Sequence, residues 1–337
     1  MQFRLIRSDD FPVCAALLPP AFRIPAAVKA ALPALWHRLL SAGQLNGGVV
    51  VDGDRSVEQS IAAFGMTAFV SDAFVEEHFA LPRPYLSGIV YQRVLSGHSP
   101  ILDAHQVRRA NSSGSLNLLI LHFGTRAPAP ADQRALAAVG VAQEGFRLTH
   151  AGYHIRRILQ EVYGPQELAF LTAGGFLLKD DYTRFYADAA GSPPPLDQRP
   201  FLAGLDREDP ESRLPGSALS SLFQAQVPRF RFSLAEQRVL ARAVMDEGDE
   251  EVAEALDVSG DAVKKIWRRI YERVAAVDPD LLCDLPEPSA LIRGKEKRRR
   301  LVRYLRYHLE ELRPFAASGA ASATARRRGS LRNGAGS

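Results

Sequence analysis

Four cations fall at helical spacing near the carboxyl end of this chain. At about 100° per residue, Lys264, Lys265, Arg268 and Arg269 lie on one side of a helix. Val263, Trp267, Ile270 and Val274 form a stripe on the other side, with Ile266 at its edge. A cationic face held by an apolar back can lie against a phosphate backbone, and Arg268 or Lys265 could donate to guanine edges. Arg273 adds a cation one turn further on. The plainer reading is an amphipathic helix with a solvated basic face.

A second basic run, Lys295, Lys297, Arg298, Arg299 and Arg300, precedes a stripe of Leu301, Leu305, His308, Leu309 and Leu312. It reads as an auxiliary backbone contact, a dimerisation helix, or a solvated helix packed on its neighbours. The remaining chemistry-bearing groups are sparse. His98 and His105 flank Asp103, a pattern open to metal ligation or acid–base work, but more often that of surface or core histidines. Asn111 to Ser115 could cradle an anion or simply form a loop. His150, Tyr153 and His154 precede Arg156 and Arg157 and read as one wet helix face. The two cysteines, Cys14 and Cys283, are far apart and belong to no Cys/His cluster, so they build no zinc site. No metal, cofactor or catalytic residue is assigned from the sequence.

The elements that must position these groups come in two compositions. Residues 1–190 alternate between strand and helix patterns. Strands are expected at Phe3–Ile6, Gly48–Val51, Ile61–Val70 and Leu116–Phe123, the last a continuous apolar run typical of a buried strand. Helices are expected after Asp9–Asp10, over Pro25–Leu40, Ala131–Val141 and Gly152–Tyr163, and a bulged strand or strand pair over Leu168–Leu178. Residues 191–227, with SPPPLDQRP near their head, read as a linker. Residues 228–282 read as three helices with a sharp turn, with Ser233 and Glu236 as a capping box and Ser259 as a second cap. Residues 283–315 hold the basic helix, and residues 316–337 are expected to be disordered.

A chain of 337 residues has room for more than one domain, and a formal charge of +4 is too small to name a polyanionic partner by itself. No segment approaches the roughly 20 apolar residues needed to span a bilayer, and the opening MQFRLIRSDD is not a secretory signal, so no membrane contact and a cytoplasmic location are expected.

Residues 232–274 resemble the LuxR-type (GerE-like) helix-turn-helix. Phe232, Ser233, Glu236, Val239 and Leu240 match its opening pattern, while Gly248, Val252, Ala253, Leu256, Val258 and Ser259 match its middle. Val263, Lys264, Ile270, Tyr271 and Arg273 match its end, and Ala262, Ile266 and Asp257 depart from it. That resemblance implies a DNA-binding transcriptional regulator with Lys264, Lys265, Arg268, Arg269 and Arg273 on double-stranded DNA. It also implies a homodimer, and a small-molecule or protein effector on the amino-terminal domain. More weakly, residues 1–190 resemble the GNAT acetyltransferase fold, through the opening LIRSDDFPVCAALLP, the strand Leu116–Phe123 and AFLTAGGFLLKDDY. That family cradles a CoA pyrophosphate on backbone N–H groups just after its central strand; here Pro128 and Pro130 remove two such donors. The expected architecture is therefore a mixed-sheet α/β domain, possibly GNAT-like, followed by an all-α helix-turn-helix domain. A GNAT-like acyltransferase with a helical appendage, or a protein–protein adaptor, are the alternatives.

Overall fold

A computed structural model describes residues 1–53, 60–126, 133–188, 193–214, 219–224, 226–282 and 290–315, without the side chains of 290–295. Cys283, Pro128, Pro130 and the carboxyl-terminal tail from 316 onward lie outside the described residues.

The chain opens with β1 (Gln2–Leu5), α1 (Phe11–Ala16), α2 (Ala26–Ser41), β2 (Asn46–Val51) and β3 (Ile61–Val70). Then follow α3 (Asp72–Ala80), α4 (Leu86–Leu95), α5 (Ala104–Ser113), β4 (Leu116–Thr125) and α6 (Gln133–His150). Next come β5 (Ile155–Tyr163), α7 (Pro165–Ala173), β6 (Leu177–Asp180), α8 (Thr183–Asp188) and β7 (Pro200–Asp206). The described residues thus contain a seven-stranded mixed sheet in the order β1-β2-β3-β4-β5-β7-β6, antiparallel except where β4 runs parallel to β5. This is the mixed α/β sheet of the GNAT-like expectation.

Strand alternation divides the core between two faces. Leu118, Ile120, Ile158, Ala203 and Leu205 pack on one face, and Leu119, Leu121, Leu159 and Leu202 on the other. The second face carries α2 and α4, through Leu32, Trp36, Val90 and Tyr91. The first shares its core with the carboxyl-terminal helices.

Three sequence expectations need correction. Gly152–Tyr163 is not a helix: its core is strand β5, buried on both faces, and Ile155, Ile158, Leu159 and Val162 only imitate helical spacing. Leu168–Leu178 is not a strand pair but α7 and the start of β6, separated by Gly174 and Gly175, the latter at φ 102°. The span read as a linker contains β7, whose Phe201–Leu205 run is buried between β5 and β6.

The carboxyl-terminal region holds α9 (Leu234–Ala243), α10 (Asp249–Leu256), α11 (Gly260–Val277) and α12 (Ala290–Tyr307). The Ser233 hydroxyl accepts from the Glu236 N–H, and the Glu236 carboxylate accepts from the Ser233 N–H at 2.6 Å. Ser259 Oγ accepts from Ala262 N–H. Val263, Trp267, Ile270 and Val274 are buried, as their stripe predicts. This unit is not a bead on a linker. Val239, Leu240, Trp267, Leu301 and Leu305 belong to the same apolar cluster as Leu116, Ile155 and Leu205 of the sheet. The segment 308–314 stitches the two together. Arg313 donates to the carbonyls of Leu148 and Ala151 at the end of α6, at 2.7 and 2.8 Å, a favourable place for a cation. Asn111 donates to the Pro314 carbonyl, and Glu311 accepts from the N–H groups of Arg229 and Phe230.

Candidate functional site

Parallel pairing between β4 and β5 runs from Leu116–Ile155 to Ile120–Gln160 and stops there. Beyond it β4 stays with β3, and β5 stays with β7. The cause is local. Met66 pairs with His122 but Thr67 with Ile120, so Leu121 is an extra residue in β4. Such a bulge bends its strand and ends regular pairing. The two strands therefore part at their carboxyl ends, where open α/β sheets admit ligands.

On the first face the gap opens into a cavity of ≈ 370 Å³. Its walls are apolar, with Val139, Ala142 and Phe146 from α6, Phe170 and Leu171 from α7, and Ile120 from β4. Thr67, His122, His150 and Gln160 are the buried polar groups among its lining. An apolar pocket with a few convergent polar groups is the ordinary form of a small-molecule site. His150 Nδ1 lies 2.9 Å from the Phe146 carbonyl, which can only accept, so Nδ1 carries the proton of the neutral ring. Nε2 then accepts from the Thr67 hydroxyl at 2.8 Å. Burial pushes the His150 and His122 rings down to about 3, so both are neutral at pH 7. His122 is held by the Tyr91 hydroxyl at 2.8 Å, which in turn accepts from the Trp36 ring N–H.

On the opposite face the next residue of β5, Glu161, is half-buried and ringed by donors. Its Oε2 accepts from the N–H groups of Tyr85 and Leu86 and from the Tyr182 hydroxyl at 2.8 Å; Oε1 accepts from the Tyr163 hydroxyl at 3.0 Å. Tyr85 has φ 67°, and this strained entry to α4 is what aims the two N–H groups at the carboxylate. Desolvation outweighs the four donors and raises Glu161 to about 7. Tyr85 also lines a wide cleft of ≈ 1060 Å³ on this face, between the loops before α2 and α4 and the segment around α8. Phe22 bridges the two sides: its ring is 4.9 Å from His122 and 6.4 Å from Tyr163. Gln160 on the cavity side and Glu161 on the cleft side are thus consecutive residues where the sheet has opened.

The sequence-predicted residues sit elsewhere. Lys265, Arg268 and Arg269 are exposed on α11; Lys264 pairs with Asp261 and Arg273 with Glu236. Arg298 reaches Asp249 and lies over the Trp267 ring at 4.8 Å, and Arg299 and Arg300 pair with Glu296. Lys297 is half-buried, and the Lys295 side chain lies outside the described residues. Asp103 is a helix cap, its carboxylate accepting from Gln106 N–H, and His98 and His105 are exposed. Among the described residues no group of three or more His, Cys, Asp or Glu side chains is placed to hold a metal ion. Asn111 to Ser115 is the end of α5 and the turn after it, not an anion cradle, and Asn111 is spent on Pro314 and the His154 N–H. His150 and His154 do not share a wet helix face: His150 ends α6 inside the core. Residues 127–132, ahead of α6, lie outside the described residues; α6 begins at Gln133, and the cavity lies against its later half.

The site residues Thr67, His122, His150, Gln160 and Glu161 escape sequence reasoning. A signal was present for two strands. His122 interrupts LNLLILHF, and Gln160–Glu161 interrupt IRRILQEVY. A polar residue inside a buried run must be satisfied or used.

No helix among the described residues is long and apolar enough to cross a membrane. No family model matches the chain, and no curated protein matches it. Solved structures do. A mutant form of the spermidine N-acetyltransferase SpeG from Vibrio cholerae is 10% identical over 64% of this chain and 98% of its own, with a TM-score of 0.35. Naa20 from Chaetomium thermophilum, in complex with a bisubstrate analogue, is 12% identical over 61% of this chain and 86% of its own, at 0.35. FeeM, an N-acyl amino acid synthase from uncultured soil microbes, is 10% identical over 60% of this chain and 88% of its own, at 0.33. None of these comparisons supports the LuxR-type resemblance. The expectations of a helix-turn-helix transcription regulator and of double-stranded DNA as partner are withdrawn, because the similar structures are acetyltransferases and an acyl synthase.

Proposed function

We propose that this chain is an acyltransferase that seats the acyl group of an activated donor in the apolar cavity and receives the acceptor from the cleft on the opposite face. The parting of β4 and β5 beyond Ile120–Gln160 carries this reading, because there Gln160 lines the cavity while Glu161, the next residue, turns to the other face and is held by Tyr85, which lines the cleft. The cavity suits an aliphatic chain: each CH₂ moved there from water contributes about 0.8 kcal/mol.

Acyl transfer needs a group that takes a proton from the attacking acceptor. Glu161, raised to about 7, is poised for that at neutral pH. Its Oε1 accepts a single hydrogen bond, from Tyr163, so a lone pair remains for the acceptor. In the balanced step the acceptor's lone pair forms the new bond to the acyl carbon, its proton passes to Glu161, and the donor's leaving group departs with the electrons of the broken bond. His150 and His122 are too deeply desolvated to take up a second proton at this pH, so they shape the cavity and orient Thr67 and Tyr91.

The test fills the cavity. Ala142→Trp, on the α6 wall, is expected to weaken binding of decanoate, measured by calorimetry, by at least about 10-fold, the scale of lost chain burial, while circular dichroism stays unchanged. Equal affinity in the folded variant would remove the cavity from the donor path.

A further inference from the structure

Arg147 lies on the cavity wall and also on a second feature, a surface groove of ≈ 680 Å³ between α6 and α12. Five arginines line that groove, namely Arg147, Arg298, Arg299, Arg303 and Arg306. Three acids, Glu144, Asp246 and Glu247, lie among them. Each of these acids is already engaged: Glu144 by Arg147, Asp246 by Arg306, and Glu247 by Arg242 from outside the groove. Arg298 and Arg299 find their acids, Asp249 and Glu296, away from the groove lining. Arg303 is exposed and has no ion-pair partner among the described residues. Arg303 is thus the groove's arginine left without an acid among the described residues, and Arg147 joins the groove to the apolar cavity.

An amphiphile matches this juxtaposition: an apolar tail for the cavity and an anionic head for the groove. Acyl donors carry such a head as a phosphate joined to the acyl thioester by a flexible arm. A phosphate at this place would sit beside the carboxyl-terminal half of α6, where the helix dipole is unfavourable, so guanidinium groups must supply the attraction. It would also explain how the chain could hold a donor phosphate with Pro128 and Pro130 ahead of α6.

We infer that the arginine groove between α6 and α12 binds the phosphate of a phosphopantetheine acyl donor whose acyl chain enters the adjoining cavity. This rests on the acyl-donor reading of the cavity. The shared chemistry is the phosphopantetheine phosphate, borne either by CoA or by a carrier protein.

Calorimetry on the full chain with decanoyl-pantetheine, decanoyl-4′-phosphopantetheine and decanoyl-CoA separates the possibilities. The phosphorylated ligand is expected to bind at least about 10-fold more tightly than the unphosphorylated one, the scale of a charge-assisted contact. The exposed double variant Arg299→Glu/Arg303→Glu is expected to erase that difference and leave decanoyl-pantetheine binding unchanged. Equal affinities for the two ligands in the native chain would overturn the groove and spare the cavity. Failure of decanoyl-pantetheine to bind, with phosphate-dependent binding retained, would overturn the cavity instead. Decanoyl-CoA binding more tightly than decanoyl-4′-phosphopantetheine supports the groove and assigns CoA as the source. Equal binding of those two, above decanoyl-pantetheine, supports it with a carrier-borne donor.

Discussion

Glu161 concentrates the chemistry at the scale of single residues. Two backbone N–H groups and two tyrosine hydroxyls hold it, yet burial keeps its carboxyl near neutrality. A proton-accepting role makes the rate of acyl transfer rise with pH through about 7. Glu161→Gln is expected to lower turnover by about 10²-fold or more and to flatten that limb of the pH profile. An unshifted profile with a residual rate like the native one would reduce Glu161 to a cap for α4. The same group sets a stability trend of known sign. Its folded pKa lies above the unfolded value, so its contribution is full below the unfolded carboxylate range and fades as pH rises through about 7. The variant should therefore compare best with the native chain above pH 7, a difference readable by urea denaturation at pH 5 and pH 8.

Elements decide where those residues end up. The Leu121 bulge parts β4 from β5, and the strand alternation of β5 sends Gln160 and Glu161 to opposite faces. The end of α6, which carries His150, is fixed from outside the sheet by Arg313. Gly152 is part of the same joint. It sits at φ 85°, and a Cβ there would lie 2.3 Å from the Glu310 backbone nitrogen. Arg313→Ala removes a buried guanidinium from two carbonyls and is expected to cost about 3 kcal/mol or more. Hydrogen exchange should show faster opening at both Phe146–Ala151 and α9, since one joint serves both. Faster exchange confined to the carboxyl-terminal helices would show that α6 stands without it. Sequence reading found the caps at Ser233 and Ser259 and the stripe from Val263 to Val274 because these depend on neighbours three or four residues away. It misread β5 and β7 because strands buried on both faces lose the alternation that marks a strand.

Over the whole molecule, one apolar cluster runs from the sheet into the carboxyl-terminal helices, so both are expected to unfold together. Acid is the condition that should show it. Burial lowers His78 to about 4 and His122 and His150 to about 3. Unfolded histidine takes its proton near 6.5, so below that pH the unfolded chain binds more protons and stability falls with pH. Each ring contributes at most about 1.4 kcal/mol per pH unit over that interval. Cooperative acid unfolding with uptake of about three protons from these rings is expected between roughly pH 6 and pH 4. Potentiometric titration alongside circular dichroism measures this, and separate transitions for sheet and helices would contradict the shared core.

The sequence by itself determined what is local. It placed the helix caps, the amphipathic stripes, the strands with clear neighbours and the missing N–H donors at Pro128 and Pro130, because each follows from a residue and those close to it in the chain. The site was decided by tertiary structure alone. Thr67 and His150 are 83 positions apart, and Glu161 meets Tyr85 from 76 positions away. Their chemistry comes from burial and from partners brought together across the sheet, and no spacing in the chain encodes either. The basic helices show the converse: their charge was plain in the sequence, but whether it faces solvent, a neighbouring acid or the edge of a cavity depended on how α6 and α12 pack.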